Sequence, residues 1–286
     1  MKKGKPTEKT EKKESASELF SKEILESMDS AYEELLTTDV ADQVPIDFWE
    51  EARGELDLLN RDLVIVAEGT NPVNTRYAFD ANYSWKTTNI MKDVIHGVQP
   101  VIEAGGAKCI RYSHETYMKS CPKRTLLWNM TENHDTSTDS FDDRDEKVYG
   151  PAACELSIAY CFAIDGVPLL FCGQEIAFDR RVSMFGNKAG WIDWDVDGKT
   201  EKALDRSAKI RKWVGMRRTY SSLSHGETTW IDNDQPQTVC SFIRHDGKSQ
   251  DVLFVGNFSA DKIKVKLADG KKYSLDPWGY VFEPMN

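Results

Sequence analysis

With 286 residues the chain is long enough for one large domain and a small one, or for two ordinary domains. Asp and Glu number 47 against 37 Lys and Arg, a net charge of −10, which argues against a nucleic-acid binder held by phosphate contacts. No stretch reaches the roughly 20 apolar residues of a membrane span. Six cysteines without a Cys-x-x-Cys pair are too sparse for a disulfide scaffold and give zinc or dithiol chemistry no foothold, so they read as buried, reduced thiols.

Residues 1–16 are dominated by Lys and Glu and read as a disordered charged tail. Met1-Lys2-Lys3-Gly4-Lys5 has the charge of a signal peptide but no apolar stretch follows, so a cytoplasmic location is expected. From Ser17, Leu19, Phe20, Ile24, Leu25, Met28, Tyr32, Leu35 and Leu36 recur at helical spacing and predict a helix over 17–36. Pro45 opens a second helix through Asn60, with Phe48, Trp49, Ala52, Leu56 and Leu59 on one face. Continuous apolar runs at 62–67, 125–130 and 167–172 predict strands buried on both faces, with a weaker strand at 77–80. Helices are predicted over 85–98, 152–164 and 202–220.

Strands alternating with helices imply an α/β fold with a parallel sheet. Beyond Ser224 the pattern changes to period two, at 228–231, 239–244, 252–257, 263–267 and 280–283, with Asp246-Gly247 and Asp269-Gly270 as turns. The domain reading is therefore a charged tail at 1–16, an α/β domain over 17–223 and an all-β domain over 224–286.

In parallel α/β folds the reactive groups gather where strands end. The first apolar strand runs into Glu68, whose apolar approach would desolvate the carboxyl and suit it to deliver a proton; an acid opening a solvated loop explains it equally well. The second runs into Glu132-Asn133-His134-Asp135, either a site or a loop brace, and the third into Gly173-Gln174-Glu175, which reads as a structural turn. Two acids from different strands facing one cleft are what glycoside cleavage needs. Phosphate-binding glycine loops, His-Glu-x-x-His and Gly-x-Ser-x-Gly are all missing from the sequence. Trp128, Trp191 and Trp194 lie near strand ends and offer rings for stacking on sugars, although each alone fits core packing better.

The segment Asp39-Val40-Ala41-Asp42-Gln43-Val44-Pro45 followed by Phe48-Trp49, the strand end Val66-Ala67-Glu68, the triplet Asn133-His134-Asp135, and Gly166 to Glu175 with Ile192-Asp193-Trp194 behind it resemble, in order, the fourth, fifth, seventh and eighth strand ends of the α-amylase family, glycoside hydrolase family 13. The spacings, 68 − 39 = 29 and 135 − 68 = 67 residues, fit the intervening βα units. The resemblance covers about residues 38–286. It implies a partial (β/α)8 barrel, about strands 4/5 to 8, with a C-terminal β domain, and retaining hydrolysis of α-glucans. Asp39 would be the nucleophile, Glu68 the acid and base, Asp135 the stabilising acid, and His134 and Asn133 substrate contacts.

The chain also departs from the family. Thr37 stands where an arginine would accompany the nucleophile, a loss that would raise the pKa of Asp39. The stretch before Asp39 reads as helix rather than strand, and the first half of the barrel has no counterpart. A second reading, an inactive amylase-like fragment that binds glucan or a partner protein, follows from these departures. Calcium is common among relatives, but most of its ligands would belong to the lacking half, so no metal and no cofactor are expected. The partners expected are an oligosaccharide and, through open sheet edges, a second copy of the chain, with no nucleic acid and no membrane.

Overall fold

The structure is a computed structural model and describes residues 35–38, 41–59, 62–123, 125–136, 143–183 and 190–285. The charged tail at 1–16, the first 18 residues of the helix expected over 17–36, and Asp39 lie outside them.

In chain order the elements are β1 (Leu35–Thr38), α1 (Ile46–Asp57), β2 (Val64–Ala67), α2 (Pro72–Tyr77), β3 (Ala81–Tyr83), α3 (Trp85–His96), α4 (Gln99–Ala104), α5 (Ala107–Ser120), β4 (Leu126–Asn129), α6 (Asp145–Val148), α7 (Pro151–Ala163), β5 (Val167–Pro168), α8 (Glu201–Thr219) and α9 (Ser221–His225). Six further strands follow: β6 (Glu227–Trp230), β7 (Val239–His245), β8 (Val252–Asn257), β9 (Ile263–Lys266), β10 (Lys272–Leu275) and β11 (Tyr280–Pro284). The first five form one parallel sheet in the order β1-β2-β3-β4-β5. The C-terminal strands form a four-stranded antiparallel sheet, β11-β8-β7-β6, and a two-stranded one, β10-β9. No helix among the described residues is long and apolar enough to cross a membrane.

Three sequence expectations are corrected. Leu35 and Leu36 belong to a strand, not to a helix: Leu35 to Thr38 pair in parallel with Val64 to Ala67, and this tertiary ladder overrides the helical spacing of the leucines. The weak strand at 77–80 is displaced. Tyr77 ends α2 and the ladder begins at Ala81, while the Asp80 carboxylate accepts the Ile65 N–H at 2.9 Å and the Arg53 guanidinium at 3.1 Å. Of the apolar run 167–172 only Val167 and Pro168 join the sheet. Beyond them the Phe171 N–H is taken by the Gln174 side chain and the Cys172 carbonyl by Arg144, so side chains replace the ladder.

The main core lies between the helices and the C-terminal sheet. Helix α7 is buried all round from Leu156 on, and Tyr160 meets Phe242 and Phe254 edge-on at 5.9 Å. Phe242 and Phe254 stack at 5.0 Å across β7 and β8, and Trp213 of α8 packs beside Phe162. The all-β part therefore shares one apolar core with the α/β part. Cys161 and Cys240 are buried there as expected, Cys154 is buried elsewhere, beside Glu146 and Arg206, and Cys172 is exposed. Among the described residues every cysteine is a free thiol.

The seam between the two parts also carries charge. Asp165, just after α7, has Oδ1 3.0 Å from His114 Nε2 and 3.2 Å from Arg244 Nη1, and accepts the Thr228 hydroxyl. A cavity of about 680 Å³ opens over this cluster, far along the strands from their C-terminal ends. Burial alone would raise the Asp165 carboxyl, but His114 and Arg244 outweigh it and hold the group well below the usual carboxylate range. A depressed folded pKa gives stability that is present above the unfolded value of about 3.9 and lost as pH falls through the folded one. Asp165→Asn is expected to destabilise the fold by about 1.5–3 kcal/mol at pH 7, the range for hydrogen bonds to charged groups. Thermal unfolding between pH 2 and 7 checks this: the variant should lie lower at neutral pH and lose less on acidification.

Candidate active site

Strands β2 and β4 deliver the candidate residues from their C-terminal ends. Glu68 follows Ala67 directly, its backbone N–H donating to the Thr38 carbonyl at 2.9 Å, so the parallel ladder holds its position. The side chain is buried, 9% exposed. Gly69 behind it permits a close approach by the loop after β1, since a Cβ there would stand 2.5 Å from Asp42 Oδ1. Asp42 uses that approach to accept the Thr70 N–H at 2.7 Å, the Asn71 N–H at 3.2 Å and the Asn74 amide at 2.7 Å. Asn74 also donates to Asn82, which donates to the Tyr117 hydroxyl. A polar network that runs from the exposed Asp42 into the buried Asn74, Asn82 and Tyr117 thus braces the turn that carries Glu68.

Residues 133–136 form a tight turn after β4. The Asn133 side-chain oxygen accepts the Asp135 N–H at 3.1 Å, and its backbone N–H donates to the Thr136 hydroxyl at 3.1 Å. This frees the Asn133 amide to donate to Glu68 Oε1 at 3.4 Å. His134 Nε2 lies 3.6 Å from Glu68 Oε1 and 3.5 Å from Asp135 Oδ1. Glu68 is buried, His134 intermediate and Asp135 exposed, so the cluster grades from interior to solvent. Four of the five expected site residues, Glu68, Asn133, His134 and Asp135, converge on one place; the fifth, Asp39, lies outside the described residues.

Glu132, the first residue of that run, faces inward as a brace. It is 3% exposed and lies against Arg144, 1% exposed, with Arg144 Nε 3.1 Å from both carboxylate oxygens and Nη2 3.0 Å from Oε2. Glu132 also accepts the Asp145 N–H at 2.7 Å. Burial pushes the Asp145 carboxyl up to about 7, against the pull of Lys92 at 2.9 Å, and the neighbouring Glu132 adds to the rise. Gln174 donates to Thr131 at 2.6 Å and so ties the loops after β4 and β5 together, as a structural turn should. The sequence offered no local signal for Arg144, Asp42 or Asn74, each of which acts on a partner a dozen or more residues away.

The tryptophans divide. Trp128 stacks on Tyr83 at 5.8 Å within the sheet's second apolar cluster. Core packing is wrong for the other two: Trp191 is 76% and Trp194 50% exposed, in a loop rich in Asp whose turn is built on Asp193 and Asp197.

No model of a protein family matches the chain. A curated cyclomaltodextrinase from a Bacillus species is 20% identical over 230 residues, covering 78% of this chain and 38% of its own length. A maltogenic α-amylase from Thermotoga neapolitana superposes with a TM-score of 0.68 at 22% identity, over 92% of this chain and 62% of that one. A cyclic maltosyl-maltose hydrolase from Arthrobacter globiformis, solved with its cyclic sugar, gives 0.72 at 18% identity over 94% and 61%. The chain spans about two fifths of the length of the curated relative and about three fifths of these two structures. The chain is thus similar in sequence to a cyclomaltodextrinase and shares the fold of a maltogenic α-amylase and of a cyclic maltosyl-maltose hydrolase over the part of their length that it spans.

Proposed function

We propose that the chain is an α-glucan-cleaving glycoside hydrolase of the retaining type, built on strands 4 to 8 of a (β/α)8 barrel with a C-terminal β domain. The observation that carries this reading is the convergence of Glu68, His134 and Asp135 from two different strand ends. Glu68 serves as the general acid: buried, positioned by Asn133, and placed at the end of a strand that cannot shift register without breaking its ladder. Asp39 serves as the nucleophile. It follows Thr38 in the chain, and Thr38 pairs with Ala67 as Glu68 follows Ala67.

In this mechanism Glu68 gives its proton to the glycosidic oxygen while Asp39 attacks the anomeric carbon, forming a glycosyl ester and releasing the leaving sugar. Glu68, now ionised, takes a proton from water, which hydrolyses the ester and restores both carboxyls. Asp135 supplies negative charge beside the oxocarbenium-like centre, and His134 and Asn133 hold sugar hydroxyls.

Reducing-sugar release from maltotriose, β-cyclodextrin and soluble starch by the purified chain is the test. Turnover above the buffer blank on at least one of them is expected, with the first-formed reducing end in the α configuration by NMR. A folded chain that is retained on a starch affinity gel yet releases nothing would replace this reading with that of a glucan-binding, inactive relative, to which Thr37 in the arginine position points.

A further inference from the structure

The two carboxylates and the imidazole of the candidate site have a second chemical capability, because one ring nitrogen faces both acids. His134 Nε2 is 3.6 Å from Glu68 Oε1 and 3.5 Å from Asp135 Oδ1, and all three ligand atoms lie within 4.8 Å of one another. The two separations from the ring nitrogen are long for direct hydrogen bonds and match the edge of a metal polyhedron. With bonds of about 2.0–2.2 Å from zinc to nitrogen and oxygen, neighbouring ligands of a tetrahedral ion stand about 3.4 Å apart. The three donors come from two loops, each fixed independently: Glu68 by the β1–β2 ladder, and His134 and Asp135 by the turn around Asn133.

We infer that Glu68, His134 and Asp135 form a three-ligand site for a first-row divalent cation of the zinc type, with its remaining position open to water or a sugar hydroxyl. Two carboxylates balance the ion's charge, and the imidazole selects zinc over magnesium or calcium, which prefer oxygen-only sets. The partial exposure of His134 and Asp135 gives the ion an entry path. Binding needs only the three side chains. Its consequence rests on the proposed function: an ion on Glu68 displaces the proton that the acid must deliver, so occupancy switches the hydrolase off and competes with the substrate.

Titration calorimetry with zinc chloride on the purified full chain tests binding apart from activity. One equivalent is expected to bind, a tenfold excess of Mg²⁺ should leave the isotherm in place, and maltotriose should weaken it. Loss of a supporting outer-shell partner costs 10–100-fold in metal affinity, so His134→Ala and Asp135→Asn, losing a ligand, should each weaken zinc binding at least about tenfold. His134→Gln, with thermal unfolding run beside it, separates ligand loss from misfolding. Co²⁺ in place of zinc should give the intense visible bands of a tetrahedral nitrogen and oxygen set. Zinc bound equally by wild type and both His134 variants, or not bound at all, overturns the inference. Zinc binding with no glucan turnover would leave the metal site standing and remove the hydrolase. Glucan turnover by a chain that binds no zinc would do the reverse.

Discussion

Glu68→Gln is expected to lower kcat/KM for maltotriose by about three orders of magnitude while leaving the unfolding midpoint within a few degrees of wild type. Gln keeps the size of the side chain and an oxygen able to accept from the Asn133 amide, 3.4 Å away in the parent, so the fold loses little. What it lacks is a transferable proton. A positioned general acid contributes about 10²–10⁴-fold, and in glycoside cleavage that proton goes to a leaving alkoxide. The loss must therefore scale with the leaving group's basicity. On an activated aryl maltoside, whose phenolate departs without protonation, glycosylation should fall far less, and the ester formed on Asp39 should then accumulate, because Glu68 also activates the water that clears it. Steady-state kinetics on the two substrates, with mass spectrometry of the trapped ester, read this directly. Equal losses on both substrates would show that Glu68 positions the sugar instead of protonating the leaving oxygen, and an unchanged rate on maltotriose would remove it from the chemistry.

The strand ends were the most legible feature of this sequence because two physical patterns coincide there. The central strands of a parallel sheet are largely apolar, so 64–67 and 126–129 stand out, although Val64 is exposed and Leu126 and Trp128 are only half-buried, and the polar residues that follow each strand begin the loop where chemistry can sit. Glu68 and Asn133-His134-Asp135 were found in that way, and the structure brings them together. The C-terminal strands were legible from period two and the Asp-Gly turns, with Gly247 and Gly270 at φ of +66° and +90°. What failed to show locally depends on partners. Leu35 and Leu36 obey a helical repeat and become a strand only because β2 is there to pair with. Helix α5 was not foreseen; its buried residues are Ala107, Ile110, His114 and Tyr117, and two of those four are polar or amphipathic. The run 167–172 leaves the sheet because Gln174 and Arg144 claim its backbone. Trp191 and Trp194, read as core, lie in the open because the loop around them turns on aspartate side chains, not on an apolar contact. The exposed rings are available for the stacking role that sugar recognition assigns to such residues.

Arg144→Met is expected to cost about 3–5 kcal/mol of folding stability, the range for breaking a buried ion pair by removing one partner. Against a typical total of about 5–15 kcal/mol this is at least about a fifth of what holds the domain together. The reason lies in what is left behind. Glu132, 3% exposed, would keep only the Asp145 N–H as a donor among its named partners, and the Cys172 carbonyl would lose the guanidinium at 3.0 Å. Arg144 also lies over the faces of Phe171 and Phe178, at 5.3 and 5.9 Å from the ring centres, contacts that an unbranched thioether replaces only in part. Glu132→Leu combined with Arg144→Leu should therefore be less harmful than the sum of the singles, since no unpaired charge remains; urea unfolding of the four proteins of this cycle measures the coupling. The functional consequence follows from position. Glu132 immediately precedes Asn133, so releasing it loosens the turn that presents His134 and Asp135 to Glu68. The single variants should consequently lose turnover even at temperatures where they remain folded, through a higher KM as well as a lower kcat. The double Leu variant, stable but without the tether to the Asp145 N–H, should recover stability without recovering rate. Recovery of both together would mean that Arg144 supports the fold alone and that the turn carrying His134 holds its shape unaided.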